Sequence, residues 1–368
     1  MKKTFKYRLY PTKQQKTTLD KTLEVCRVLY NHCLKQRRWA YKYYGISISY
    51  NEQQNDLPDL KTHVPEFSRV HSQVLQDVAR RVDRAYQAFF RRIKNGENPG
   101  FPRFRGKNRY DSFTYPQSGF ALVGNVLRLS GIGKIPVQVH RALEGKVKTC
   151  TLRRKNCGEW FVSFSCDQVV PKSLPSSPLA IGIDLGLTDF LATSEGEVVT
   201  NPKYGKVSTK RLAQAQRKLS AQKKGARERQ EKKKIVSKIY KKVVNQRTDF
   251  FYKTANRLVG EYGYIFAEDL KPSEMLSYRA VNRTLYDTAW TGFLSILSCK
   301  AAEAGREFRK VNPAHTSQDC SACEYRQKMP LSVRVYKCPS CGLELSRDVN
   351  AARNIKRLGL ESLASKNA

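Results

Sequence analysis

Two cysteine pairs, "CSAC" (Cys320, Cys323) and "CPSC" (Cys338, Cys341), stand fourteen residues apart near the end of the chain. A CxxC turn lets two thiolates converge on one ion, and two such turns complete a closed tetrahedral site of the kind that structural zinc fills. The intervening "MPLSVRVYKC" can supply a strand, so the segment is expected to fold as a small ribbon around Zn²⁺. A closed site keeps no open position, and this zinc should do no chemistry. His315, just before the first pair, reads as a loop residue rather than a fifth ligand. The other six cysteines are isolated and read as buried small hydrophobes. The basic start "MKKTFKYRLYP" leads into no apolar h-region. Reduced thiols and a cytoplasmic setting are therefore expected.

Seven residues after Cys341 comes Asp348, within "ELSRDVNAARNI". At helical spacing it shares a face with Ala351, Ile355 and Leu358, a face that should pack on something apolar. Two further acids end apolar strands: Asp184 closes "AIGID" and Glu268 closes "YIFAE". A carboxylate among apolar neighbours is costly unless it is paired or holds a metal. Three converging carboxylates would repel one another, and hard divalent cations such as Mg²⁺ relieve this. Two such ions ~4 Å apart can activate a water and stabilise the leaving oxygen of a phosphodiester. Each acid also has a plain structural reading. Asp348 suits a helix start, Asp184 a turn before Gly186, and Glu268 an arginine partner. Pattern alone does not separate Glu268 from Asp269. No Ser–His or Cys–His pairing and no phosphate-binding glycine loop competes.

Charge narrows the partner. Lys and Arg number 68 against 32 Asp and Glu, a formal +36, and such a surplus works against compactness unless a polyanion neutralises it. Nucleic acid is the expected partner. A membrane is not, because no apolar run approaches the ~20 residues of a spanning helix. Lys203 to Arg247 holds seventeen Lys/Arg and two acids. Leu212, Leu219, Val236, Tyr240 and Val243 keep helical spacing there. Long basic helices are predicted, either as a track for a nucleic-acid backbone or as solvated faces.

The rest of the chain reads as two textures. "TFKYRLYP" alternates as a strand, and Thr12 with Gln15 forms a capping box for a helix that runs to Gly45. A second helix is expected from near Ser68 to Gly96, with Val74, Val78, Val82, Ala85 and Phe89 inward. Between the two, "ISISYNEQQNDLPDL" is a loop or short helix. "NPGFPRFRGKNRYDSF" is a basic connector. Strands follow to about residue 170, with "KVKTCTLRRKNCGEWFVSFSCD" the clearest hairpin, and "VVPKSLPSSP" is a linker. After it the pattern is α/β: "LAIGIDLG", the hairpin "TDFLATSEGEVVT", the basic helices and "YIFAEDL". A helix over "RTLYDTAWTGFLSILSCKAAEAG", the strand "REFRKVNP", the cysteine ribbon and a closing helix complete it.

Taken in order, "GIDLG", "AEDL", two CxxC pairs and "SRDVNAARNI" resemble the TnpB family of transposon-encoded RNA-guided DNA nucleases, relatives of the type V CRISPR effectors. "YRLYPT", "VLYNHCL", "AYQAFFRRIK" and "GFPRFR" extend the resemblance through the N-terminal half. It implies a multidomain α/β protein. Residues 176–314 and 345–368 would form an RNase H-like (RuvC) nuclease core with an inserted zinc ribbon at 315–344. Residues 1–11 and 96–175 would form a β-barrel wedge domain carrying a helical recognition lobe at 12–95. It implies that Asp184, Glu268 and Asp348 are the catalytic, magnesium-holding carboxylates, and that Cys320, Cys323, Cys338 and Cys341 bind zinc. The implied partners are a guide RNA derived from the transposon end and a double-stranded DNA target beside a short flanking motif, with sequence choice delegated to base pairing. By family position, Tyr50, Gln76 and Thr114 are candidates for reading that motif, and they are equally suited to ordinary surface or core roles. Arg347 would steady the scissile phosphate or pair with an acid. Trp39, Tyr41, Tyr43 and Tyr44 could stack on bases or simply pack the helix. One departure stands out: Glu324 follows the first cysteine pair where the family often has glycine.

The function expected is RNA-guided cleavage of double-stranded DNA. The alternatives are a guide-directed repressor that binds without cutting, whose mark would be a lost carboxylate, and a strand-transfer transposase on a similar core.

Overall fold

The computed structural model describes residues 1–270, 289–330 and 333–367. The chain divides into two compact units, Met1–Val170 and Pro171–Ala368.

The first unit begins with β1 (Lys3–Leu9) and the helix α1 (Lys13–Tyr44). Thr12 accepts from the Gln15 N–H while Gln15 reaches back to the Thr12 N–H, the predicted capping box, and Gly45 ends the helix at φ 66°. Short helices α2 (Tyr50–Asn55), α3 (Leu57–His63) and α4 (Pro65–Ser68) lead to α5 (Ser72–Lys94). The second long helix therefore starts later than the expected Ser68. Pro65 opens a separate single turn, and the chain is re-aimed through Arg69–His71 before α5 begins. The Val74, Val78 and Val82 face is fully buried, as its spacing predicts. Strands β2 (Ser112–Tyr115), β3 (Phe120–Val123), β4 (Val126–Leu129), β5 (Gly133–Gln138), β6 (Lys146–Arg154) and β7 (Trp160–Asp167) join β1 in one sheet of order β2-β6-β7-β1-β5-β4-β3. That sheet curls on itself. β3 and β7 are far apart in strand order, yet Phe120 and Phe164 lie 6.2 Å apart between ring centroids. Phe113, Tyr115, Trp160 and Phe164 fill its interior and share one apolar core with α1 and α5.

The second unit is built on β8 (Ala180–Asp184), β9 (Asp189–Thr193) and β10 (Val198–Thr200), followed by α6 (Tyr204–Val207), α7 (Thr209–Ser220) and α8 (Arg227–Glu261). Then come β11 (Tyr264–Glu268), α9 (Trp290–Ala304), β12 (Glu307–Val311), the ribbon strands β13 (Val335–Lys337) and β14 (Glu344–Ser346), and α10 (Arg347–Asn367). The expected start of the α9 helix at Arg283 lies outside the described residues. The five-stranded sheet runs β10-β9-β8-β11-β12. β9 is antiparallel to β8 and β10, whereas β8, β11 and β12 are parallel.

Strand alternation assigns the faces of that sheet. Ile181, Ile183, Ile265 and Ala267 pack on Phe251, Leu258, Phe293 and Leu297 of α8 and α9. Phe266 faces the other way, onto Ile355 of α10. Two glycines let α10 lie close. A Cβ on Gly182 would stand 2.1 Å from the Ala352 carbonyl oxygen, and one on Gly359 would stand 2.1 Å from the Phe266 ring. The small residues of "NAARN" thus reflect backbone proximity, with Ala351 and Ala352 both buried. Among the described residues no helix is long and apolar enough to cross a membrane.

Candidate metal centres

β8 and β11 pair with Ile183 opposite Ala267. Asp184 and Glu268, one residue further on, therefore leave the same end of the sheet side by side. Alternation turns both toward the α10 face, because Ile183 and Ala267 face the opposite core. The same rule separates Glu268 from its neighbour: Asp269 is exposed and pairs with Lys310 at 2.8 Å. Asp348 sits in the first turn of α10, whose Ala351 and Ile355 are buried as the helical spacing predicts.

All three carboxylates are half-buried. Burial pushes the Asp184 carboxyl well above the usual carboxylate range, and the charges of Glu268 and Asp348 push the same way. The Arg347 guanidinium and the Leu185 N–H pull it back. Burial also raises Glu268, against the Thr316 hydroxyl that donates to it. Asp184 and Glu268, both held back from ionising beside a third carboxylate, are short of positive charge, and a divalent cation fits that deficit. Arg347 makes no ion pair with an acid among the described residues. Its guanidinium donates to the Pro330 and Val333 carbonyls at 3.2 and 3.4 Å.

The second cluster is tighter. Among the described residues, Cys320, Cys323, Cys338 and Cys341 are the only group of three or more such side chains whose ligand atoms all lie within 4.8 Å. Cys320 faces Cys341, and Cys323 faces Cys338, each pair at 3.6 Å between sulfurs. Burial pushes the Cys338 thiol up, but the Cys341 and Ser340 N–H groups together with the Cys323 and Cys341 thiols bring it down to about 7. Four soft donors with a stabilised thiolate fit Zn²⁺. His315 stands apart from the set, its Nδ1 3.2 Å from Gln318. Each turn needs a left-handed residue after its second cysteine. Gly342 takes φ 74° and Glu324 takes φ 62°, so this chain adopts at Glu324 a conformation that glycine meets without strain. The Glu324 carboxylate lies 3.4 Å from Arg357.

Three residues joining the two clusters are absent from the sequence-based expectations. Thr316 is buried, and its carbonyl accepts from the Asn354 amide at 2.9 Å. Asn350 and Asn354 both donate to the Asp319 carbonyl at 2.7 Å, and Asn350 accepts from the Ser321 N–H at 2.9 Å. The available signal is two asparagines at i, i+4 on a helix face otherwise filled by alanine and isoleucine.

The motif candidates lie in the first unit. Thr114 receives a hydrogen bond from Arg81 at 2.8 Å and pairs with Thr151 at 2.9 Å. The half-buried Tyr50 lies under Arg80, which also donates to its hydroxyl at 3.1 Å. Gln76 is half-buried, and its side chain has no hydrogen-bond partner among the described residues. Tyr43 and Tyr44 both pack against Trp39, 5.4 and 5.3 Å between ring centroids, and all three remain exposed.

The fold is similar to that of solved Cas12 structures. A Cas12f1–sgRNA–target DNA complex superposes with a TM-score of 0.59 at 15% identity, covering 94% of this chain and 83% of that one. The mini-RNA-guided endonuclease CRISPR-Cas_phi3 gives 0.59 at 10% identity, covering 98% and 92%. Sequence comparison is closer. A Streptomyces pristinaespiralis protein named "Putative RNA-guided DNA endonuclease" is 33% identical over 372 residues, 99% of this chain and 91% of its own length. The Escherichia coli K12 protein "Putative RNA-guided DNA endonuclease InsQ" is 28% identical over 98% of this chain and 93% of its own. The descriptions "Cas12f1-like, TNB domain", "Probable transposase" and "Helix-turn-helix domain" match residues 290–355, 163–279 and 1–45. The chain belongs to the TnpB family, the OrfB proteins of IS605-type elements. Residues 1–45 nevertheless form a strand and one continuous long helix here, not two helices joined by a turn.

Proposed function

We propose that this protein is an RNA-guided endonuclease that cuts double-stranded DNA beside a short flanking motif by metal-dependent phosphodiester hydrolysis. The guide would be an RNA derived from the transposon end. The observation that carries the reading is the meeting of Asp184, Glu268 and Asp348, from three separate elements, at one end of a sheet where Asp184 resists ionisation. The sheet order, with one antiparallel edge and a parallel β8-β11-β12 half, supports an RNase H-like (RuvC) core. The domain limits in this reading are a wedge barrel at 1–11 and 96–175, a recognition lobe at 12–95, the nuclease core at 176–314 and 345–368, and the ribbon at 315–344.

Asp184, Glu268 and Asp348 would hold Mg²⁺, two ions in this reading. Bound there, the metal supplies a Lewis acid and a water of lowered pKa. The chain's own groups do the rest. Glu268 keeps one oxygen tied by the Thr316 hydroxyl, which fixes the carboxylate's orientation. Arg347 holds a positive charge near Asp184, favouring its ionised form and offering a donor to a phosphate. Cys320, Cys323, Cys338 and Cys341 would hold Zn²⁺ and keep the ribbon folded against the start of α10. Tyr50, Gln76 and Thr114 remain the candidates for reading the flanking motif. The exposed basic faces of α7 and α8 would track a nucleic-acid backbone, and binding should then weaken steeply with salt.

The test is to purify the protein with its bound RNA, sequence that RNA, and offer a matched duplex with Mg²⁺. The parent should cut the duplex and Asp348→Ala should not. Equal cutting by both, or target binding without any cutting by the parent, would overturn the reading.

A further inference from the structure

A cleft outside the metal centres lies in the first unit, between α1, the end of α5 and the connector that follows. It is an open groove of about 690 Å³. Arg38, Arg92 and Arg103 line it, with Phe101, Phe104 and Asn98, and no acid does. Phe101 and Phe104 are 43% and 48% exposed, unusual for phenylalanine in a chain with a full aromatic core nearby. Arg38 stands over both rings, 5.4 Å from Phe101 and 5.3 Å from Phe104.

The connector is held rather than loose. Asn31 on α1 pairs with both backbone groups of Arg105, accepting its N–H at 2.7 Å and donating to its carbonyl at 3.0 Å. Arg27 donates to the same carbonyl at 3.0 Å, and Pro102 is buried. Phe101 also meets Phe89 edge-on at 5.1 Å and Tyr86 at 5.7 Å. Two aromatic rings and a guanidinium plane are thus set on the surface at fixed positions, with two further arginines beside them. Folding alone gives no reason to leave them in water.

We propose that this cleft binds an unpaired nucleotide of RNA, the base stacking on the Phe101–Arg38–Phe104 platform and the phosphate meeting Arg92 and Arg103. Flat rings and guanidinium planes take a base that has left its helix, whereas a paired base offers them no free face. Three arginines and no carboxylate match an anionic, phosphate-bearing ligand and disfavour a basic or an apolar peptide. Asn98 also lines the cleft and offers a carboxamide that can pair with a base edge or a ribose hydroxyl. The inference rests on the RNA-guided reading only for the source of that RNA, the resident guide.

The test uses the full chain and needs neither guide nor cleavage. Labelled 12-nucleotide oligouridine, oligothymidine and a blunt DNA duplex are titrated by fluorescence anisotropy. Phe101→Ala/Phe104→Ala should bind oligouridine about tenfold or more weakly, with the duplex unchanged. Phe104→Trp should retain binding, and Phe104→Leu, which keeps an apolar side chain without the ring, should not. Irradiation with 5-iodouridine oligomers should give crosslinks on Phe101 or Phe104. An equal loss on the duplex, no loss on oligouridine, a larger loss on oligothymidine, or crosslinks confined elsewhere would each overturn the assignment. Failure here leaves guided cleavage standing, and loss of guided cleavage with intact oligouridine binding would strike only the functional reading.

Discussion

The four thiols come from residues 320–341 and lie within 4.8 Å of one another, whereas the three carboxylates come from residues 184–348 and are not gathered so tightly. Both sets carry like charges that oppose their own assembly. The ribbon answers with two local turns, the second of which turns the Ser340 and Cys341 N–H groups toward Cys338, so its geometry is built within a short stretch. The carboxylates are positioned by the whole sheet. β8 and β11 deliver two of them, α10 delivers the third, and Thr316 ties Glu268 to the segment that enters the ribbon. A closed local site can serve stability. An open site made from distant elements must borrow its rigidity, and here part of it comes from the ribbon through Asn350 and Asn354.

The sharpest way to separate the two clusters is to neutralise one acid. Asp184→Asn should lower Mg²⁺-dependent cleavage by about a thousandfold or more. It should also raise the melting temperature of the metal-free protein, because Asp184 is held above its unfolded pKa. For such a group the native state gains stability as pH falls through the folded pKa, and that gain is complete below the unfolded value. Lowering pH should therefore narrow the gap in melting temperature between parent and variant. A constant gap would sever the charge repulsion from the fold.

Cys338→Ser, or a strong chelator, should release zinc and melt the ribbon, since metal binding supplies much of such a site's folding free energy. If Thr316 links the clusters, cleavage falls as well while Asp184 stays in place. Retained cleavage by a zinc-free protein would show the two to be independent. Thr316→Val should reduce cleavage by about 10- to 100-fold, the usual scale for a partner behind a metal ligand. It also removes the donor that lowers Glu268, so the rising limb of the pH–rate profile should move to higher pH, and Thr316→Ser should restore it. The smallest effect is expected at Glu324→Gly. Relief of the left-handed residue should stabilise the ribbon by about 1 kcal/mol, less whatever the Arg357 pair contributes, measured as zinc retention against a competing chelator.

The same contrast explains what could be read from sequence. The cysteine spacing is local, and from it alone the four thiols that gather in the structure could be read. The strand ends at Asp184 and Glu268 and the helical face at Asp348 were legible because alternation and helical periodicity decide which way a side chain points. The choice of Glu268 over Asp269 needed the two faces of β11 to be assigned, and that depends on which helices pack on each side. Thr316 was not legible, because its role depends on a loop reaching back to β11. The late start of α5 turned on an extra turn opened by Pro65, which periodicity does not resolve. Nothing in the sequence around Thr114 signals that its hydroxyl is bonded to Arg81, a residue on a different element.

The central claim is that Asp184, Glu268 and Asp348 form one divalent-cation centre. Calorimetric titration of Mn²⁺ into zinc-loaded parent and Asp184→Asn tests it most directly. The account predicts about two sites in the parent, lost or at least tenfold weakened in the variant, with zinc content unchanged in both. Equal Mn²⁺ binding by the two proteins would contradict it.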